Sequence, residues 1–273
     1  MMVRRERMVA LHCIVQLGML LAIVWKWRFF LGADEMYHRH AIVDSFFPSL
    51  LRNAEVIRWA YLISVFAIAV NIVSWNRLTS RICSYVSLLA LFVLCIHQGG
   101  YNDATFTTTW WTCLWGTWYV HRLDDPDRVF TLRRGAFLSR VIISMILLGG
   151  AVGKWTPEYW SGQVMHDIYF EGRDYWTFNF VRNNFEPETV RWMATWYSRK
   201  VILIETISGF GLWLLPPKWA AIAGFVLLTS IALFSNFYLF SVMFCLMGLS
   251  LAGLFVVKPS DVILSEKKLD LEA

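Results

Sequence analysis

Apolar runs of membrane length recur along this chain, near Val9 to Leu31, Arg58 to Trp75, Ile82 to His97, Ala104 to Val120, Ala136 to Gly153, Val201 to Leu215, Trp219 to Phe234 and Tyr238 to Val257. Such runs, wound at 1.5 Å per residue, are on the scale of the ~30 Å hydrocarbon core of a bilayer. Inside lipid every backbone N–H and C=O needs an internal partner, and a helix provides one for each. The expected fold class is all-α, a polytopic membrane helix bundle of about eight transmembrane helices. One bundle domain is expected over 1–257, with a short cytoplasmic tail at 258–273. The fourth run is rich in Thr and Trp, and the sixth is short and closed by Pro216-Pro217, which cannot continue a helix.

Composition supports this class, since 57% of the residues are hydrophobic and 16% are charged, against about 25% charged in soluble domains. The net charge of +5 does not point to nucleic acid, because the Lys and Arg residues are scattered between apolar runs and form no basic tract. They act as topology signals. With the N-terminus inside, the inner connections hold Arg77 and Arg81, then Arg122, Arg128, Arg133 and Arg134, then Lys218, and finally Lys258, Lys267 and Lys268. The outer connection from His97 to Asp103 has neither Lys nor Arg. Both termini are therefore expected on the cytoplasmic side of an inner-membrane or endomembrane bilayer. Arg4-Arg5-Glu6-Arg7 ahead of an apolar stretch looks like a signal peptide, but the stretch ends in Trp25-Lys26-Trp27-Arg28-Phe29 without a small-residue cleavage site, so it is read as the first span. Cys13, Cys83, Cys95, Cys113 and Cys245 all lie in apolar segments without CxxC spacing and read as small buried hydrophobes.

The long connection Lys154 to Lys200 is crowded with aromatic residues, and Thr189, Trp192, Met193 and Trp196 recur at helical spacing after Pro187. This segment is expected to lie on or dip into the outer membrane face, either as a plug over the bundle or as a lid over a site.

Polar residues at membrane depth concentrate on the same side. Arg28, His97 and Lys154 close the first, third and fifth runs, Asn102 and Asp103 follow His97, and Ser235 and Asn236 close the seventh. Glu205 lies about 7 Å below the outer edge, at 1.5 Å per residue. A carboxylate among Ile, Leu and Val needs a partner or a proton. Lys154 is the natural partner, and its own position allows two readings: an interfacial anchor whose ammonium reaches the headgroups, or a functional cation held among Gly149, Gly150 and Gly153. Arg140 reads as a snorkelling residue on the inner half of the fifth run. His38 and His40 have no zinc-ligand set around them, His12 and His121 have no clearer role, and no metal is expected. Nucleophile triads, P-loops and dinucleotide fingerprints are missing from the sequence.

The stretch Arg140-Val141 through Gly149-Gly150-Ala151-Val152-Gly153-Lys154-Trp155, then Tyr159-Trp160-Ser161-Gly162, and then Glu205 in the next run, resembles the horizontally transferred transmembrane (HTTM) domain. That family includes vitamin K-dependent gamma-glutamyl carboxylase and is more distantly similar to lipase maturation factors and DoxX-like membrane proteins. The specific part of the likeness covers about thirty residues around Lys154, the remainder being a shared multi-helix plan. The resemblance implies that Lys154 is a base acting on a quinone-class cofactor, a hydroquinone, from the outer side. Such a base must be neutral near pH 7, which burial away from carboxylates favours and a tight pair with Glu205 opposes. Two departures stand out: the carboxylases carry a large substrate-recruiting extension where 258–273 is read as a tail, and Phe234-Ser235-Asn236-Phe237-Tyr238 is more similar to the maturation-factor helix junction.

The sequence thus leads to an outward-facing lipophilic pocket, with quinone as one fitting guest and a carboxylase- or epoxidase-like activity as one outcome. Lys154 is its candidate base or anion-binding group, Glu205 and His97 its electrostatic neighbours, and Tyr159, Trp160, Trp176 and Asn236 its binding wall. The rival expectation is a non-catalytic maturation or assembly factor, or an accessory subunit, whose aromatic outer face docks a membrane or exported protein partner. A transporter fits less well, for want of repeat symmetry or paired broken helices.

Overall fold

The computed structural model describes residues 5–28, 53–74, 76–96, 104–235 and 241–257, and every regular element among them is helical. The long helices are α1 (Arg5–Val24), α2 (Ala54–Val73), α3 (Arg77–Ile96), α4 (Ala104–Val120) and α5 (Arg128–Val152). Two short helices follow, α6 (Pro157–Trp160) and α7 (Gln163–Met165), then a π-helix (His166–Glu171) and α8 (Trp176–Asn184). The chain closes with α9 (Pro187–Gly211), α10 (Pro217–Ser235) and α11 (Val242–Ser250), the last prolonged by a 3-10 turn (Leu251–Phe255).

Helix starts follow local chemistry. The Asn53 side chain accepts from Glu55 N and that of Asp127 from Phe130 N, satisfying amides that open α2 and α5. Pro187 stands in the first turn of α9, where a missing N–H costs nothing. Pro216-Pro217 separates α9 from α10 as expected, since neither proline can serve as a donor inside a continuing helix.

Among the described residues, five helices are long and apolar enough to cross a membrane: α1, α2, α3, α5 and α10 as far as Phe234. The other three expected runs take different forms. Ala104–Val120 is a helix of 17 residues in which Thr109, Thr112 and Thr117 donate their hydroxyls to carbonyls one turn back, which satisfies those three hydroxyls in a buried stretch of modest hydropathy. Val201 to Leu215 is not a separate short helix. Its first eleven residues complete the 25-residue α9, which also contains the Thr189-Trp192-Met193-Trp196 stripe, and the charges of its first half keep it from reading as a span. Val242–Phe255 forms a shorter apolar helix.

The main core is centred on α1, which packs against α2, α4 and α11, while α3 bridges α2 and α4. Met8, Leu11, Val15 and Met19 on α1 are fully buried with Tyr119 and Leu132. A separate small core of Met165, Phe170, Phe178, Val190 and Ala194 holds the segment between α5 and α9 together. Thus the aromatic connection is a folded cap of short helices on the first half of α9, which itself carries the Trp192 and Trp196 stripe.

Candidate functional site

α5 and α9 cross closely, and the crossing builds the charged centre. A Cβ on Gly209 would lie 2.6 Å from Leu148 Cδ2, so only a glycine lets α9 approach this close. One turn earlier on α9, Glu205 faces Lys154 just past the end of α5. The ammonium donates to both carboxylate oxygens, at 2.8 Å to Oε1 and 2.7 Å to Oε2, and to Gly150 O at 3.3 Å. The Lys154 side chain is 21% exposed and that of Glu205 13%. Gly150 makes room for both: a Cβ there would sit 3.3 Å from Glu205 Oε2 and 3.4 Å from Lys154 Nζ. Gly149 has nothing within 4 Å of such a Cβ, and Gly153 meets only carbonyl oxygens of its own turn at 3.6 Å and beyond. Of the three glycines expected to admit neighbours, Gly150 alone serves the site.

The cap is pinned to α9 through backbone carbonyls. Ser198 Oγ donates to Tyr159 O, Thr195 Oγ1 to Ser161 O at 2.8 Å, and Arg199 Nε to Trp160 O at 3.1 Å. Gly162 stands at φ +83, and its hypothetical Cβ would be 2.4 Å from Thr195 Cα, so the turn is held against the helix by a residue without a side chain. On the far side, Tyr175 Oη donates to Leu233 O at 2.8 Å and Thr177 Oγ1 to Phe234 O at 3.1 Å, tying α8 to the end of α10. Arg182 gathers the π-helix end, donating to the carbonyls of Phe170, Glu171 and Arg173 and to Asn179 Oδ1.

Between α9, α10 and this roof lies a cavity of about 360 Å³. Its apolar wall includes Met165, Phe170, Phe178, Ile204, Ile231 and Phe234, and its charged lining is Lys154, Glu205 and Lys200. Tyr159, Tyr169 and Tyr197 add phenol groups. Burial, and then the nearby Glu205 carboxylate, push the Tyr159 phenol above its ordinary range. Tyr169 is pushed up to about 12, chiefly by burial. Both remain neutral donors at physiological pH.

Among the residues expected to form the site, Lys154, Glu205 and Tyr159 meet in this cavity. Trp160 and Trp176 are not among its walls. Trp160 stacks on Trp155 at 5.3 Å and is covered by the Arg199 guanidinium, whereas Trp176 is 58% exposed and leans on Phe234 from outside. Arg28 lies over the Trp27 ring, away from the cavity. His97 and Asn236, with Asn102 and Asp103, fall outside the described residues. Arg140 sits over the Trp213 ring. Lys200, Tyr169, Phe178 and Ile231 join the lining without a sequence signal of their own, and the spacing of Lys200 and Glu205 is informative only because Pro187–Gly211 is one helix.

Two other polar groupings lie apart from the cavity. His12 is buried on α1, 3.2 Å from Asn71 Oδ1, and Asn71 donates onward to Ser84 Oγ at 3.0 Å, a core network holding α1, α2 and α3. In the π-helix His166 Nδ1 is 3.0 Å from Asp167 Oδ1 and Nε2 is 3.4 Å from Glu171 Oε1. These three could present ligand atoms to a cation, but both carboxylates are exposed and both ring nitrogens already have carboxylate neighbours.

No family model, no curated protein and no solved structure matches this chain.

Proposed function

We propose that this chain is an integral membrane protein that takes a lipophilic molecule of quinone size into the cavity between α9 and α10, with the Lys154–Glu205 pair as its polar end. The cavity carries the proposal: about 360 Å³ falls within the range of roughly 300–1,000 Å³ for small-molecule sites, and its mostly apolar wall converges on one ion pair. In this reading α4, the second half of α9 and α11 with its 3-10 extension complete the five membrane-length helices to eight spans. The termini then lie on the cytoplasmic side and the cavity opens toward the outer leaflet.

The pair also suggests what chemistry the site would perform. Lys154 donates to both Glu205 oxygens, and the group able to take a proton from a bound hydroxyl is the carboxylate. A hydroquinone O–H would pass its proton to Glu205, and the Lys154 cation would offset the negative charge left on oxygen. Lys154 is then the cation of the site rather than its base. This assigns it the anion-stabilising role in an HTTM-like, carboxylase- or epoxidase-like enzyme.

The test is binding of a radiolabelled short-chain quinone to the purified protein in nonionic detergent. Saturable binding that Ile231→Trp abolishes at unchanged melting temperature is the expected result. Absence of saturable binding, or binding indifferent to Ile231→Trp, would overturn the proposal.

A second reading, a non-catalytic assembly factor or accessory subunit, is favoured by one observation. Trp192 and Trp196 stand 62% and 54% exposed on the first half of α9, packed edge to face, with Arg199 over Trp196. Aromatic and Arg side chains arranged in this way are typical anchors of protein interfaces. Loss of function from Trp192→Ala with quinone binding intact would select this reading.

A further inference from the structure

The cavity has a charge imbalance. Lys154 and Glu205 neutralise each other, whereas Lys200, which also lines the cavity, has no hydrogen-bond or ion-pair partner among the described residues. Lys200 precedes Glu205 by five residues on the same helix, so it lies about 7.5 Å nearer the start of α9, at 1.5 Å per residue. The cavity therefore has a neutral pair at one level and an uncompensated ammonium at its rim. The hydroxyls of Tyr159 and Tyr169 likewise have no hydrogen-bond partner among the described residues, and while they hold their protons each can donate to an acceptor. Beyond these groups the lining is apolar, with Leu227, Ile231 and Phe234 facing Val201 and Ile204.

We infer that the guest of this cavity is a single-tailed anionic amphiphile, its carboxylate or phosphate at Lys200 and the Tyr phenols and its alkyl chain along Ile204, Leu227 and Ile231. The inference rests on the lipophilic-guest reading above and goes further by specifying the charge of the guest. A neutral guest with a carbonyl or hydroxyl oxygen could accept from these donors but would leave the Lys200 charge uncompensated. An anion accepts from all of them and compensates that charge, through charge-assisted hydrogen bonds. A cationic head is disfavoured by the same surplus positive charge.

Scintillation-proximity binding of radiolabelled palmitate, hexadecyl phosphate, hexadecanol and a short-chain quinone, at pH 8 in nonionic detergent, tests this. Palmitate or hexadecyl phosphate should bind about fivefold more tightly than hexadecanol, the size of a partly exposed ion pair. Lys200→Met should remove that preference without weakening hexadecanol, and Lys200→Arg should keep it. Palmitate and hexadecyl phosphate separate a carboxylate head from a phosphate head. If hexadecanol or quinone binds as tightly as the anions and Lys200→Met changes nothing, the anionic guest is wrong and the lipophilic reading stands. If no probe binds in a manner sensitive to Ile231→Trp, both fail. Melting temperatures of the Lys200 variants should equal that of the wild type, because this side chain makes no contact that folding needs.

Discussion

The Lys154 ammonium lies within 2.8 Å of both carboxylate oxygens of Glu205, although the two residues are separated by 51 positions in the chain. Each is the other's charge partner, in a setting that is mostly closed to water. Removing one leaves the other uncompensated at a cost of roughly 3 kcal/mol. Lys154→Ala and Glu205→Gln should each lower the melting temperature in detergent, and the double variant should lose clearly less than the sum. Additive losses in this double-mutant cycle would mean that the pair contributes nothing as a pair.

Gly150 and Gly149 are adjacent yet should respond in opposite ways. A Cβ on Gly150 presses on the ion pair at 3.3 and 3.4 Å, whereas one on Gly149 meets nothing within 4 Å. Gly150→Leu is expected to impair folding or binding, and Gly149→Leu and Leu147→Met to be tolerated, by thermal denaturation of the purified variants. Equal behaviour of Gly150→Leu and Gly149→Leu would contradict the packing described.

Stability should also fall in alkali. The Tyr169 phenol is pushed up to about 12 in the folded protein, whereas in the unfolded chain it ionises near the usual ~10. The folded state thus holds the proton more tightly, so this contribution is fully present below pH ~10 and is lost as pH rises toward 12. Tyr169→Phe should flatten the decline of melting temperature over that interval. An unchanged alkaline slope would show that the phenol is not buried as described.

Asp125 and Glu171 lie beyond opposite ends of α5, a helix of 25 residues spanning about 37 Å at 1.5 Å per residue. Single-cysteine probes at Glu171 and Asn102 should react with impermeant reagents from outside, and probes at Asp125 and Glu266 only after permeabilisation. Outside labelling at Asp125 would reverse the orientation proposed for the cavity.

What the sequence by itself determined is the helical, lipid-compatible class and the meeting of Lys154 with Glu205. Apolar runs of membrane length leave the backbone few alternatives, and two opposite charges among apolar neighbours have strong reason to find each other. Tertiary structure decided the form of α9, because Pro187 opens a helix that no proline or glycine interrupts before its charged first half joins the apolar run. It also decided that α4 is buried through its own threonine back-bonds, which hydropathy does not register. The cavity wall belongs wholly to tertiary structure. Trp160 and Trp176 sit close in sequence to cavity residues yet face away from it, while Lys200 on α9 and Ile231 on α10 line the same cavity under a cap with its own small core. Periodicity assigns a residue to a helix face, but which neighbour covers that face depends on contacts between segments far apart in the chain.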